Sequence, residues 1–278
     1  MGGSILRSTY DYPVVALSVL IAIAASYAAL TLAERVSMAQ NQARTAWLFG
    51  GGIAMGTGIW SMHYTGMVAY RLPVQVYCHV PTVLLSLLAA ICASFVALFA
   101  VSRPRMNAFH VIAGSLLMAA GISAMHYIGM AAMRLPAMHH YDNDVVIGSV
   151  VIAWVVSLIA LGLIKMNLVL EPASTGQLDT LSRVPAEKSS KLLKAVASVT
   201  MGVAIPIMHY TGMAAVRYES MPGSPDLSSS MEISTLGYIA IIIIIAVVVL
   251  TSICLVRWRP TLVDLPPLLN SKDGSAAK

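Results

Sequence analysis

The sequence predicts an all-α membrane protein: a seven-helix transmembrane bundle with three internal helix-pair repeats, its N-terminus outside and its C-terminus cytoplasmic. Three observations predict it. The 278 residues are 58% hydrophobic and 10% charged, where a water-soluble domain carries about 25% charged residues. The apolar residues fall into runs long enough to cross a bilayer, which takes roughly 20 residues per helix. One His-containing hexamer occurs three times, each time at the same end of an alternate helix.

The runs place helices at about 12–33, 46–70, 82–101, 108–133, 145–166, 192–217 and 236–256. The first, from Pro13 to Ala33, exceeds the usual 7–15 residue core of a cleaved signal peptide. A single Arg precedes it and Glu34-Arg35 follow, so it is read as a retained helix. The second, fourth and sixth carry the hexamer, and small residues such as Gly52 and Gly56 let helix backbones approach closely in lipid. These three are expected to be the inner helices. The seventh contains no Lys, which excludes a retinal Schiff base. Short loops join most of the runs, so residues 1–258 form one bundle and 259–278 a short cytoplasmic tail.

Orientation follows from the positive charges, which accumulate on the cytoplasmic side of short loops. Thirteen of the 17 Lys and Arg fall on one side, among them Arg35, Arg44, Arg103, Arg105 and Lys165. Only Arg7, Arg71, Arg134 and Arg217 fall on the other. The net charge of +5 therefore reports topology and not a nucleic-acid partner. Cys78, Cys92 and Cys254 are too few and too scattered for a disulfide framework, and each is expected to be buried and inert.

The repeat reads Met62-His63-Tyr64-Thr65-Gly66-Met67, Met125-His126-Tyr127-Ile128-Gly129-Met130 and Met208-His209-Tyr210-Thr211-Gly212-Met213. An Arg stands eight residues after each His (Arg71, Arg134, Arg217), and a Met seven residues before each leading Met (Met55, Met118, Met201). The copies are 63 and then 83 residues apart, and the extra length lies in the polar segment around 171–190. Each His lies about 12 Å inward of an Arg that can reach the outer interface, at 1.5 Å per residue. Because the three helices run the same way, the three His share one depth.

Polar groups at that depth are costly unless paired, coordinated or facing a cavity. Met67, Met130 and Met213 follow their His by four residues and share its helix face. Imidazole suits copper, zinc, iron and nickel, whereas thioether is soft and favours Cu(I). Hard-cation ligands are missing, because no Asp or Glu lies inside a span. A lone membrane His is as easily a helix-packing group as a ligand. Three at matched depth point to a shared or repeated site, with copper the favoured ion. The motif Tyr are hydrogen-bond donors that orient the ligands or packing groups, the repeated Arg are interface anchors, and His79, His139 and His140 are solvated loop residues.

The thrice-repeated hexamer, at the outer ends of alternate helices, resembles the MHYT domain over about residues 10–257. The resemblance implies a sensory domain of the bacterial inner membrane that binds a diatomic gas (oxygen, carbon monoxide or nitric oxide) through copper. Its implied ligands are Met62, His63 and Met67, Met125, His126 and Met130, and Met208, His209 and Met213. Two features depart from a uniform repeat: Ile128 replaces Thr65 and Thr211, and Pro206 should kink the sixth helix and turn its motif differently. The family usually carries a cyclic di-GMP domain after the last helix, which is not found here, so either the bundle signals through a separate cytoplasmic protein, met at 171–190 and the tail, or the chain is truncated. No nucleotide-turnover or kinase signature appears, and Gly51 to Gly56 is followed by Thr57 and fails as a phosphate loop, so enzymatic activity is not expected. The competing readings are a copper- or haem-handling membrane protein and a purely structural subunit.

Overall fold

The computed structural model describes residues 4–101, 107–170 and 183–257. It contains the seven helices: α1 (Tyr12–Met38), α2 (Asn41–Ala69), α3 (Val80–Val101), α4 (Ala108–Ala131), α5 (Asn143–Leu170), α6 (Arg183–Ala214) and α7 (Ile233–Arg257). Six are long and apolar enough to cross a membrane. The other, α2, is 29 residues long but rich in Gly, Thr and polar side chains, and it is seated between α1, α3 and α7. The helix that looks least like a membrane span is the one with the most protein around it.

The first six helices close into a ring. Each packs on its neighbours in sequence, and α6 returns to pack on α1. Within the ring α2, α4 and α6 lie inside, as their small residues predicted, while α7 packs outside against α2. The glycines mark the close approaches. A Cβ on Gly56 would lie 2.5 Å from the Ile91 backbone on α3, and one on Gly202 would lie 2.4 Å from the Ile23 backbone on α1. Leu84, Leu85, Leu88, Ile242 and Ile245 project from the outside, where lipid is their natural solvent.

The bundle end that holds the hexamers carries short strands the apolar pattern did not reveal. They are β1 (Thr9–Tyr10), β2 (Tyr70–Arg71), β3 (Tyr77–His79), β4 (Met133–Arg134), β5 (Ala137–Tyr141), β6 (Val216–Ser220) and β7 (Ser230–Glu232). The strand before each odd helix pairs antiparallel with the strand after the next helix: β1 with β2, β3 with β4, β5 with β6. The repeat unit is thus strand, two helices, strand, used three times. A fourth strand–helix piece, β7–α7, is added through the pairing of β7 with β3.

Several expectations need correction. Helix α6 starts at Arg183, nine residues before the apolar run, so 183–190 is helical and not part of a loop. Hydropathy stops at the membrane surface, whereas a helix need not. Residues 171–182 and 259–278, the rest of the expected partner-contact segments, lie outside the described residues. Cys78 is buried, and burial pushes its thiol up to about 12, so it is inert as expected. Cys92 and Cys254 are exposed on the outer faces of α3 and α7 instead of buried. Cys is apolar enough to face lipid, so a hydrophobic run does not say which side it takes.

Candidate metal centre

Each motif begins two turns before its inner helix ends, and the ring geometry turns the three copies toward one point. His63, His126 and His209 are all buried, and their Nδ1 atoms form a nearly equilateral triangle with sides of 3.1, 3.3 and 3.2 Å. The rings stand nearly perpendicular to one another, with centroids 4.9–5.1 Å apart. They are the group of His, Cys, Asp or Glu side chains, among the described residues, arranged to hold one metal ion. Three separate sites would have left the histidines apart.

The triangle cannot be satisfied by protons alone. A neutral imidazole Nδ1 either donates or accepts, never both. Around a three-membered cycle of such atoms, only one full donor–acceptor pair can form. A cation at the centre would accept all three lone pairs at once. Equidistant from the nitrogens, it would lie about 1.9 Å from each, near the roughly 2.0 Å usual for a metal–imidazole bond. The residues present therefore fit a metal.

The motif Gly explains itself here. A Cβ on Gly129 would lie 2.3 Å from His63 Nε2, one on Gly212 2.4 Å from His126 Nε2, and one on Gly66 2.5 Å from His209 Nε2. Each copy's Gly makes room for the imidazole of another copy, around a closed cycle. The three Nε2 atoms are buried and have no hydrogen-bond partner. Pro206 does not turn the third copy aside, since His209 joins the triangle on the same terms as the others. Its ring removes one hydrogen bond a turn below, while packing on α1 and α5 keeps the helix in register.

The motif Tyr have partners that sequence reasoning missed. Tyr64 bonds Ser86 of α3 at 3.3 Å, Tyr127 bonds Ser149 of α5 at 2.6 Å, and Tyr210 bonds Ser18 of α1 at 2.8 Å. Each Ser donates its own proton to a carbonyl one turn back, so each Tyr O–H is the donor to its Ser. Each Tyr ring also meets its neighbouring His edge-on, at 4.8–4.9 Å. The His triangle is thereby tied to all three odd helices. The available signal was the 22-residue step from Tyr64 to Ser86 and from Tyr127 to Ser149. The third pair closes the ring backwards and has no such step.

Met62, Met67, Met125, Met130, Met208 and Met213 are all buried in the same core. The Arg that follow the motifs lie in β2, β4 and β6, at the bundle end, as expected of interface anchors. Arg71 pairs with Asp11, and Arg134 donates to the carbonyls of Ala131 and Met133 at 3.0 and 3.1 Å. His79 and His139 are half-buried in β3 and β5 instead of solvated, while His140 is exposed beside Glu219 at 3.3 Å.

Comparison with known proteins identifies the repeat. A family model described as MHYT, bacterial signalling protein N terminal repeat, matches residues 3–46, 56–114 and 120–174. The chain is 36% identical over 251 residues to the bifunctional diguanylate cyclase/cyclic di-GMP phosphodiesterase MucR of Pseudomonas aeruginosa, covering 90% of this chain and 34% of that one. It is 34% identical to the cyclic di-GMP phosphodiesterase NbdA of the same organism, over 85% of this chain and 28% of that one. It is 33% identical to the signaling protein YkoW of Bacillus subtilis, over 83% of this chain and 27% of that one. The chain thus spans about a third or less of the length of these relatives. No solved structure matches.

Proposed function

The chain belongs to the MHYT family, and from that premise we propose that its membrane bundle is a sensor in which His63, His126 and His209 together hold one copper ion. Its ligand is a diatomic gas (O2, CO or NO), and its listener is a cytoplasmic signalling module. The observation that carries this reading is the Nδ1 triangle. Three nitrogens and no charged ligand suit Cu(I), and three protein ligands leave a position at which a small molecule can bind. Met62, Met67, Met125, Met130, Met208 and Met213 would supply a soft, apolar surround that keeps water out, or further ligands.

The chain's own residues supply the coupling. Because each imidazole rests on another copy's Gly, displacing one displaces the next. The Tyr–Ser bonds carry that displacement to α1, α3 and α5. Such a linked set can shift between two packings when a ligand prefers one of them. The relatives' names associate this kind of chain with cyclic di-GMP turnover, so control of that turnover, at the inner membrane of a bacterium, is the output we propose. A haem-binding role is not supported. Paired axial His need a porphyrin-wide slot between them, and here the rings touch.

The test is elemental mass spectrometry of the detergent-purified protein beside a His63/His126/His209 triple-Ala variant. One copper per chain, lost in the variant, is the expected result. A wild type that stays metal-free after copper loading would overturn the reading.

A further inference from the structure

The repeat has a second layer that the His triangle does not use. Met55, Met118 and Met201 stand eight residues before His63, His126 and His209 on the three inner helices. In the odd helices the Tyr-bonded Ser18, Ser86 and Ser149 are each followed, eight residues later, by another Ser: Ser26, Ser94 and Ser157. Odd and even helices run in opposite directions. Eight residues therefore carry both sets the same roughly 12 Å toward the cytoplasmic side. One layer holds His, Tyr and hydrogen-bonded Ser, and the next holds Met and a second Ser, both in threefold order.

Two observations show that this second layer is more than filler. All three serines are buried, 0–3% exposed, and none of their Oγ atoms has a hydrogen-bond partner. A buried helical Ser ordinarily bonds a carbonyl of the preceding turn, as Ser18, Ser86 and Ser149 do. The layer also borders a small, partly open cavity of about 10 Å³, lined by Met55, Met118 and Met201, one from each inner helix, with Met62 and the α1 side of Ser26, while Ser94 and Ser157 lie outside its lining. That is room for one water-sized occupant. Met is flexible and normally closes such gaps; here three of them border one.

We propose that this cavity is a second metal site, in which the thioethers of Met55, Met118 and Met201 hold a soft monovalent cation, Cu(I) or its analogue Ag(I). Thioether sulfur selects Cu(I) among biological cations. Hard cations are disfavoured by the absence of a carboxylate. Glu34, the nearest on α1, lies eight residues beyond Ser26 and is engaged by Lys194 at 2.7 Å. The site stands apart from the His triangle and does not depend on it.

The experiment loads the detergent-purified protein with Cu(I) under anaerobic reducing conditions, counts copper per chain, and reads its neighbours by copper-edge X-ray absorption. Three proteins are compared: wild type, the M55L/M118L/M201L variant, and the H63A/H126A/H209A variant. Two ions are expected in wild type. One ion with sulfur neighbours should remain in the His variant, and the Leu variant should lose the ion that the His variant keeps. A His variant without sulfur-bound copper, or a Leu variant that still binds two ions, overturns the proposal. Loss of copper from the Leu variant's His triangle as well would also overturn the proposal, because the two sites would then not be independent. If the triple Leu variant does not fold, M118L in the His variant is read in its place. At least a tenfold loss of Cu(I) affinity supports the site, and unchanged affinity overturns it.

Discussion

The Gly of each hexamer is the residue whose role is least visible in one copy and clearest in three. A Cβ on Gly129 would lie 2.3 Å from His63 Nε2, a separation that no carbon and nitrogen tolerate without moving. Gly129→Ala should therefore destabilise the bundle by about 1–3 kcal/mol, the usual range for overpacking a filled core. The partner in that clash belongs to a different copy, which makes a specific cycle possible. Adding His63→Ala to Gly129→Ala should recover most of the loss, whereas adding His209→Ala should not, because His209 rests on Gly66. Thermal unfolding of the wild type and these three variants measures it, and equal recovery by both His changes would mean the cyclic packing is wrong. The His and Met candidates were legible in the sequence because three copies at one depth are hard to explain by packing. The convergence of the three His on one point was not. Spacing along a helix fixes depth and face but says nothing about which faces meet.

Secondary structure was legible in proportion to its hydrophobicity. All seven helices followed from apolar runs, but the strands did not, since segments as short as Thr9–Tyr10 and Tyr70–Arg71 leave no room for an alternating pattern. They nonetheless decide what the repeat unit is, by closing each helix pair with a ladder. The longest ladder, β5 with β6, contains a titratable group. Burial, and secondarily Arg134, lower the pKa of His139 below its ordinary value. The sign follows directly. A base whose folded pKa is depressed leaves the ladder at full stability above the ordinary His value of about 6.5, and the stability falls as pH drops from there toward the folded pKa. Hydrogen exchange of the β5–β6 amides, corrected for intrinsic rates, should be faster at pH 5.5 than at pH 7.5. The difference should shrink in His139→Gln. A pH response equally large in that variant would show that His139 is not its source.

At the scale of the molecule, seven helices put the start of α1 and the end of α7 on opposite faces, and the His triangle lies nearer the face that carries the strands. Charge counting places that face outside, with Arg71, Arg134 and Arg217 as its few positive residues. Orientation matters to the sensor reading because it decides where a ligand enters and where the signal leaves. On the sensor reading, strands outside would admit copper from the cell exterior and leave the polar start of α6 on the cytoplasmic side. The ring transmits in three equivalent directions, but α7 touches it on one side, chiefly through α2. A displacement of His63 therefore reaches the last helix more directly than one of His126 or His209. The orientation is tested with single cysteines in a chain whose own Cys78, Cys92 and Cys254 are replaced. Ser228→Cys, in the exposed segment before β7, should react with a membrane-impermeant maleimide on intact cells, or on spheroplasts where an outer membrane blocks the reagent. Gln40→Cys, exposed between α1 and α2, should react after lysis alone. The reverse pattern would put the His triangle near the cytoplasm, and its copper would then have to come from the cell interior.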